Sequence, residues 1–225
     1  MPRFTRLIER PMISDDQLRA RHQAVPPDYY DRGVRINAWQ RVWHERRRPI
    51  VERLLIGRGG RLLDVGCHGG YLTRIIAQAS RAAVTGIDIS PPAVAYARAY
   101  VPAAQFVVGD IQDGLPFPDG NFETVTAFDV LEHVPRLESV LREVHRVLAP
   151  GGLFVIGVPR ETRLWRLVWT LWVKSRGAVW HDVHVHKFTP ERLSEVITAQ
   201  GFGERQRVVS HWGMYSVLTF ERAKR

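Results

Sequence analysis

The most constraining feature of the chain is the stretch from Leu62 to Leu72, where an apolar run ends at an acidic residue and a glycine-rich turn follows. Its glycines, Gly66, Gly69 and Gly70, let the backbone turn tightly and approach a ligand without an intervening Cβ atom. A helix that begins behind such a turn offers unpaired N–H groups to that ligand. The stretch therefore predicts a strand, a nucleotide-type loop and a helix in succession.

The order of the glycines excludes two common nucleotide-binding loops. The dinucleotide fingerprint requires G-x-G-x-x-G, whereas here two residues separate Gly66 from Gly69. A phosphate-cradling loop ends in Gly-Lys-Ser/Thr, and this loop contains no lysine. The acidic residue before the glycines, Asp64, suits a cationic or amino-bearing ligand better than a pyrophosphate, because like charges repel.

Two further carboxylates follow predicted strands in the same series. Asp88 ends the strand over residues 83–87, ahead of a helix with Ser90 as its N-cap, and a carboxylate at this place typically binds ribose hydroxyls. Asp110 follows the third strand, where it can accept a hydrogen bond from the amino group of adenine. Together with Asp64, these strand ends fit a ligand that combines an amino acid, a ribose and an adenine.

Strands and helices alternate from residue 62 to residue 158, which predicts a parallel sheet with right-handed crossovers and an α/β fold. We expect residues 1–31 to form an irregular lead-in and residues 37–55 to form one helix. We therefore expect residues 1–58 to form a lead-in and a capping helix, and residues 59–225 to form the main domain. The remaining predicted elements are a helix over 135–148, a fifth strand over 153–158, a helix capped by Thr189-Pro190 and an antiparallel hairpin over 205–220.

Five motifs in fixed order make the chain resemble the Rossmann-like S-adenosylmethionine-dependent methyltransferases, in the branch that acts on small molecules and lipids. They are DVGCHGG at 64–70, GIDIS at 86–90, GDI at 109–111, FETVTAFDVLEHV at 122–134 and LREVHRVLAPGG at 141–152. The resemblance covers about residues 55–220. It implies a mostly parallel seven-stranded sheet with an antiparallel last strand, helices on both faces, and S-adenosylmethionine as cofactor.

The resemblance also implies which residues contact the cofactor. We expect Asp64, Gly66 and Gly69 at the methionine end, Asp88 at the ribose, and Asp110 with Ile111 at the adenine. The other expected contacts come from the same loops and from the end of the fourth strand: Cys67, Ile89 and Phe128.

Methyl transfer from a sulfonium is a direct displacement, so the protein mainly aligns the reacting groups. An oxygen or nitrogen acceptor also needs a base, and His133 is the first candidate because it lies just past the fourth strand. His184 and His186 are further candidates, in a loop that lines the pocket. A metal held by Asp129, Glu132 and His133, or zinc on His184 and His186, is an alternative, but we expect no metal.

A tryptophan-rich segment follows the fifth strand, over residues 160–180. Its apolar residues recur with helical spacing, and basic residues occupy the other side. The apolar set is Leu164, Trp165, Val168, Trp169 and Trp172; the polar set is Arg163, Arg166, Thr170 and Lys174. Ubiquinone-pathway O-methyltransferases are similar here, with an insertion that meets the membrane. We expect a lid over an apolar acceptor, inserted at about 160–186, that touches a membrane surface; plain packing against the domain is the alternative.

The amino-acid composition of the chain limits the kinds of molecule that it is expected to bind. The net charge of +9 comes almost entirely from arginine, which suits nucleic acid or anionic lipid. The segment Phe128-Asp129-Val130-Leu131 lacks the Asn/Asp-Pro-Pro-aromatic pattern of base-modifying amino-methyltransferases, so we expect no nucleic-acid partner. The single cysteine, Cys67, excludes a disulfide framework and leaves no nucleophile for cytosine-C5 methylation. The opening residues lack a secretory signal, and we expect a cytoplasmic protein peripheral to the inner face of the membrane.

These observations predict an S-adenosylmethionine-dependent methyltransferase that acts on a small, apolar or lipid-like acceptor. Two alternatives stay open at this point. The basic surface suits an RNA or protein methyltransferase, and the tryptophan-rich segment also suits a non-catalytic, cofactor-binding subunit that regulates a partner.

Overall fold

The structure, a computed structural model, describes residues 14–175, 185–186 and 188–224. Within these residues a seven-stranded sheet has the order β3-β2-β1-β4-β5-β7-β6. Its strands are β1 (Arg61–Val65), β2 (Ala83–Asp88), β3 (Gln105–Val108), β4 (Phe122–Phe128), β5 (Leu148–Pro159), β6 (Phe202–Ser210) and β7 (Tyr215–Arg222).

The first five strands are parallel, and β7 runs antiparallel between β5 and β6. This confirms the mostly parallel sheet with an antiparallel last strand. The direction in which the sheet is built reverses between β1 and β4, since the connections on either side of this pair cross opposite faces of the sheet. A crevice opens at this point, at the carboxyl ends of the strands. The three predicted acidic strand ends lie along this edge.

Helices cover both faces of the sheet, as predicted. They are α1 (Asp15–Gln23), α2 (Tyr29–Ile36), α3 (Ala38–Glu45), α4 (Arg48–Leu55), α5 (Tyr71–Ala79), α6 (Pro91–Tyr100), α7 (Leu137–Val147), α8 (Arg163–Ser175) and α9 (Pro190–Thr198). Alternate residues of β1 show the two layers: Leu63 packs in a core with α7 and α9, and Leu62 packs in a core with α4 and α5.

The structure corrects two expectations at the amino-terminal side. The lead-in is helical from Asp15, because Ser14 and Gln17 form a reciprocal capping box that starts α1. The expected single helix over 37–55 is two helices, α3 and α4. Pro49 lies in the first turn of α4, and its missing N–H group cannot continue the hydrogen bonds of α3.

The tryptophan-rich segment forms α8 directly after β5, at the carboxyl edge of the sheet. Trp165 on this helix is buried, whereas Leu164, predicted on the same apolar face, is exposed. The expected apolar face is therefore wrong in one respect, because Leu164 does not share the buried side of α8 with Trp165. Across the described part of the chain, no helix has the length and apolar character needed to cross a membrane.

Candidate functional site

An open cleft of about 750 Å³ lies at the carboxyl ends of β1, β2 and β3, where open α/β sheets typically bind ligands. We call it the cofactor cleft. Its walls come from the strand ends, the turn after β4 and α1. The lining residues used below are Arg19, His22, Tyr30, Gly66, Asp88, Ile89, Asp110, Ile111, Asp129, Val130 and His133.

Gly66 permits the close approach that forms the floor of the cofactor cleft. Its backbone φ angle is 70°, and a Cβ atom there would lie 2.3 Å from Cγ2 of Val130. The N–H groups of Gly66 and Cys67 both donate to the carbonyl of Ile87, at 2.8 and 3.1 Å. The first loop is thus attached to β2 rather than to a ligand, and only glycine fits at its start.

Asp88 lines the cofactor cleft from the end of β2 with only 9% of its surface exposed. Its two carboxylate oxygens accept hydrogen bonds from the backbone N–H groups of His68 and Ser90, both at 2.9 Å. Backbone donors of this kind hold an ionised carboxylate in one orientation. The carboxylate therefore joins the glycine loop to the N-terminus of α6 while it faces the cleft.

Asp110 lies at the far end of the cofactor cleft and contacts the amino-terminal helix. Its Oδ2 is 3.0 Å from Nε of Arg19 on α1, and its Oδ1 accepts the N–H of Gln112 at 2.8 Å. The guanidinium of Arg19 also forms a bidentate pair with Asp113, with both distances 3.1 Å. Arg19 therefore holds α1 across the expected adenine end of the cleft.

Four expected cofactor contacts lie behind the lining of the cofactor cleft. Both oxygens of Asp64 accept hydrogen bonds from hydroxyl groups, from Thr73 at 2.6 Å and from Thr126 at 2.7 Å. Burial raises the pKa of Asp64 to about 6, although both hydroxyls oppose this. The other three, Cys67, Gly69 and Phe128, are buried.

Each of these three has a packing role. Cys67 packs against α6 and β3, and burial raises the pKa of its thiol well above the ordinary value. Gly69 lies under the turn before α2, where a Cβ atom would be 2.1 Å from the carbonyl oxygen of Pro27. Phe128 packs in the core beside Tyr215. The structure thus places these residues in packing positions behind the cleft, and their contact with the cofactor stays a prediction.

A second cleft of about 730 Å³ adjoins the first and is mainly aromatic; we call it the acceptor cleft. It shares Tyr30, Asp129 and His133 with the cofactor cleft. The rest of its lining comes from α2, α3, the start of α4, the turn after β4, the end of β5, and α8. The residues are Tyr29, Trp39, Gln40, Trp43, His44, Arg47, Glu132, Pro159, Trp165, Val168, Trp169 and Trp172. Rings of Trp165 and Trp169 stack at 5.0 Å.

Charged groups lie at the inner end of this aromatic cleft. Arg47, only 4% exposed, donates to Asp129 at 2.5 Å and lies 4.9 Å from the ring of Tyr215. Asp129 has a φ angle of 55°, a left-handed conformation that turns the chain sharply after β4. Its neighbour Glu132 is buried, and burial followed by repulsion from Asp129 raises the pKa of Glu132 well above the ordinary value.

The predicted histidines separate in the structure. His133 lies on the wall common to both clefts, with its ring centroid 4.9 Å from that of His22. His186 is buried outside the lining of both clefts, its Nε2 lies 2.8 Å from the carbonyl oxygen of Val134, and its ring stacks on Phe188. A catalytic role for His186 stays a prediction. His184 lies outside the described residues.

Sequence reasoning missed several residues of the site and left others undecided. The capping box at Ser14 was a usable signal for α1, which supplies Arg19 and His22 to the cofactor cleft. No local signal marks Arg47 or Trp43, because these residues reach the acceptor cleft only through packing. Among the residues described, no group of three or more His, Cys, Asp and Glu side chains has the arrangement of a metal site.

Comparison with known proteins agrees with this geometry. Residues 63–156 match the family model described as a methyltransferase domain. A "Probable S-adenosylmethionine-dependent methyltransferase" of Mycolicibacterium smegmatis is 30% identical over 166 residues, 73% of this chain and 61% of that relative. A fatty-acid O-methyltransferase of the same organism is 40% identical over 43% of this chain and 36% of its own length. A ubiquinone biosynthesis O-methyltransferase of Pseudomonas aeruginosa is 39% identical over 42% of each chain.

Solved structures agree on the fold. Magnesium protoporphyrin IX methyltransferase of Synechocystis, crystallised with bound S-adenosylhomocysteine, has a TM-score of 0.70 at 17% identity, over 93% of this chain and 100% of that one. The fold is thus that of the Rossmann-like methyltransferases. Residues 63–156 match a methyltransferase domain, a class whose cofactor is S-adenosylmethionine. The chain spans less than two thirds of the length of each of the three curated relatives.

Proposed function

We propose that this protein transfers a methyl group from S-adenosylmethionine to a small, apolar or lipid-like acceptor. The observation that supports this most is the adjacency of the two clefts. The aromatic acceptor cleft and the cofactor cleft share Tyr30, Asp129 and His133 as a common wall, so molecules bound in the two clefts meet there.

The cofactor cleft has the groups that S-adenosylmethionine requires. Gly66 leaves room that a side chain would fill, Asp88 presents a fixed carboxylate for ribose hydroxyls, and Asp110 with Ile111 lies at the adenine end. The bound cofactor supplies an electrophilic methyl group on a sulfonium. In this proposal Asp64 acts as a positioning residue, because it holds β1 to β4 and α5 through hydroxyls.

The acceptor cleft suits an apolar molecule because seven of its side chains are tryptophan or tyrosine rings around a small polar end. A relative named as a fatty-acid O-methyltransferase is consistent with such an acceptor. In this proposal α8 is a lid: its buried Trp165 and the stacked Trp169 form one wall of the cleft. His133 lies where the acceptor and the methyl group meet, and we retain it as a group that contacts one of them.

The outer face of α8 suits contact with an anionic membrane, from which an apolar acceptor would enter. Leu167 and Leu171 are 59% and 61% exposed on this helix. The helix also exposes Arg163, Arg166 and Lys174. Exposed leucines with basic neighbours are the pattern of helices that lie in the interfacial region of a bilayer. The proposed location is therefore the membrane surface.

Incubation of the purified protein with methyl-labelled cofactor and a bacterial membrane extract tests the proposal. We expect label in the lipid-soluble fraction, and calorimetry with the cofactor alone should show binding. Labelled RNA or protein would contradict the proposed acceptor class, and binding without any transfer would favour a regulatory subunit. Vesicles of anionic lipid should pellet the protein, those of neutral lipid should not, and Leu171→Glu should weaken the association.

A further inference from the structure

We propose that Glu132 binds the hydroxyl group of the acceptor and receives its proton, so that the acceptor is an uncharged alcohol or phenol on an apolar body. This inference rests on the proposed function and specifies its acceptor. It also assigns proton removal to a residue that sequence reasoning had considered only as a metal ligand beside His133.

The position of the Glu132 side chain is unusual for a carboxyl group. It is only 3% exposed and lines the aromatic acceptor cleft. Neither of its carboxyl oxygens has a hydrogen-bond partner among the residues that the structure describes. Its backbone is held firmly, because its carbonyl accepts the N–H groups of Val185 at 2.9 Å and His186 at 3.1 Å.

An unpaired buried carboxyl group is costly, and a folded protein rarely retains one without a use. Burial of a polar group without a partner typically costs several-fold to a hundredfold in folding equilibrium. Apolar residues of similar volume would fit the same aromatic surroundings at no such cost. A ligand with a hydrogen-bonding group at this point would satisfy the carboxyl oxygens, and Glu132 is one of the residues that line the acceptor cleft.

The charges around Glu132 favour a neutral ligand over an ammonium ion. The facing charged groups are Arg47 and Asp129, which pair with each other, and Glu161 at the start of the segment before α8. Burial, followed by repulsion from Arg47, lowers the pKa of His44 well below its ordinary value and keeps it neutral. Asp129 is already paired with Arg47, and an ammonium ion bound at Glu132 would be repelled by that guanidinium, whereas an uncharged hydroxyl group would not.

The proposed step balances without any further reactant. The acceptor oxygen forms the new bond to the methyl carbon, and the carbon–sulfur bond of the sulfonium breaks with its electron pair on sulfur. The hydroxyl proton moves to a carboxylate oxygen of Glu132 in its ionised form. A carboxylate in an apolar cleft is a stronger base than one in water, which suits it to this task.

Binding of three naphthalene probes tests the inference in the presence of S-adenosylmethionine. Naphthol carries a hydroxyl, methoxynaphthalene lacks the donor, and naphthylmethylamine is a cation on the same ring system. Quenching of the tryptophan fluorescence of the cleft reports binding. We expect naphthol to bind roughly 10- to 100-fold more tightly than either of the other probes, the range expected for a hydrogen bond to a buried charged group.

Two variants separate hydrogen bonding from proton transfer. Glu132→Met should abolish the preference for naphthol and raise the melting temperature, because it removes an unpaired buried carboxyl group. Glu132→Gln should keep most of the preference but lose transfer to the membrane extract. Glu138→Gln, an exposed residue on α7, is the matched control and should change none of these measurements.

Three results would overturn the inference: equal binding of naphthol and methoxynaphthalene, tighter binding of the amine, or a naphthol preference that Glu132→Met leaves intact. Failure of all three probes to bind would also overturn it, because the cleft would then not accept an apolar ring beside the carboxyl group. Calorimetry with S-adenosylmethionine alone keeps these outcomes distinct from failure of the proposed function, since cofactor binding does not require the acceptor.

Discussion

The two clefts of this protein are built in different ways. The cofactor cleft is formed mainly by short loops that directly follow consecutive strands. Its acids Asp88 and Asp110 are oriented by backbone N–H groups of their own loops and, for Asp88, also of the neighbouring glycine loop. The acceptor cleft combines side chains from segments far apart in the chain, such as Arg47 before α4 and Trp165 on α8. Local loop geometry therefore constrains the first cleft, while tertiary packing of helices determines the second.

This contrast also appears in how the two clefts neutralise charge. In the cofactor cleft the carboxylate of Asp88 is stabilised by two nearby peptide groups, within a sequence distance of 20 residues. In the acceptor cleft Asp129 is stabilised by Arg47, 82 residues away, and Glu132 has no such partner among the described residues. Substitutions should therefore affect cofactor binding and acceptor binding separately.

The largest expected effect is on the cofactor side. Asp88→Ala should lower the affinity for S-adenosylmethionine by at least about 100-fold, because it removes charge-assisted hydrogen bonds to the ribose and frees the N–H groups that position the loop. Calorimetry measures the affinity, and circular dichroism should show retained secondary structure. Asp119→Ala, which removes an exposed carboxylate paired with Arg146, is the control. Unchanged affinity in Asp88→Ala would contradict the proposed ribose site.

The next effect tests whether Asp64 supports the cofactor side from inside the sheet. Because its pKa is raised to about 6 from an ordinary value of 3.8, the folded protein should lose stability as the pH rises from about 4 to about 6, by at most about 3 kcal/mol. Below this range both folded and unfolded chains are protonated at Asp64, and above it the loss is complete. In Asp64→Asn this component of the pH dependence should vanish.

Urea unfolding of the wild type and of Asp64→Asn between about pH 4 and pH 6 gives the free energy of unfolding of each protein. The difference between the two curves is the contribution of Asp64. Asp119→Asn makes the same substitution at an exposed position outside the sheet and is the control. If the two curves for wild type and Asp64→Asn were parallel, Asp64 would be ionised in the folded protein, and its proposed role as a buried positioning residue would need revision.

A smaller effect should appear on the acceptor side alone. Trp165→Ala removes a buried aromatic wall of the acceptor cleft, and we expect a loss of about 10- to 100-fold in transfer to the membrane extract at limiting acceptor. Cofactor affinity should not change, because Trp165 does not line the cofactor cleft. Trp212→Ala, at an exposed tryptophan beneath Arg46, is the matched control. A loss of cofactor affinity in Trp165→Ala would show that the clefts do not behave separately.

The smallest expected effect concerns the helix that crosses the cofactor cleft. In Arg19→Met the ion pairs of α1 with Asp110 and Asp113 are removed, so adenine no longer competes with Arg19 for Asp110. We expect the affinity for S-adenosylmethionine to rise by up to about fivefold, since partly exposed ion pairs contribute at most about 1 kcal/mol. Weaker binding in Arg19→Met would instead indicate that Arg19 contacts the ligand itself.

Local sequence patterns indicate which strand-end residues lie near the cleft, but they do not indicate which way each side chain points. Strand-end residues such as Asp88 and Asp110 follow from local patterns, because a strand, a turn and a helix restrict where such a side chain lies. Asp64 follows a similar pattern, yet the structure turns its carboxylate toward Thr73 and Thr126 instead of the cleft. Whether a strand-end acid faces the cleft or the sheet depends on neighbouring strands, which local sequence does not reveal.

The sequence by itself determined the α/β class, the order of alternating strands and helices, and the glycine loop, because hydrophobic periodicity and the conformational freedom of glycine act over a few residues. Only the tertiary structure decided that α1 and α8 each form a wall of one cleft, that Arg47 pairs with Asp129, and that Glu132 remains buried without a partner among the described residues. These features depend on contacts between distant segments, whose geometry is set by how the helices pack on the completed sheet.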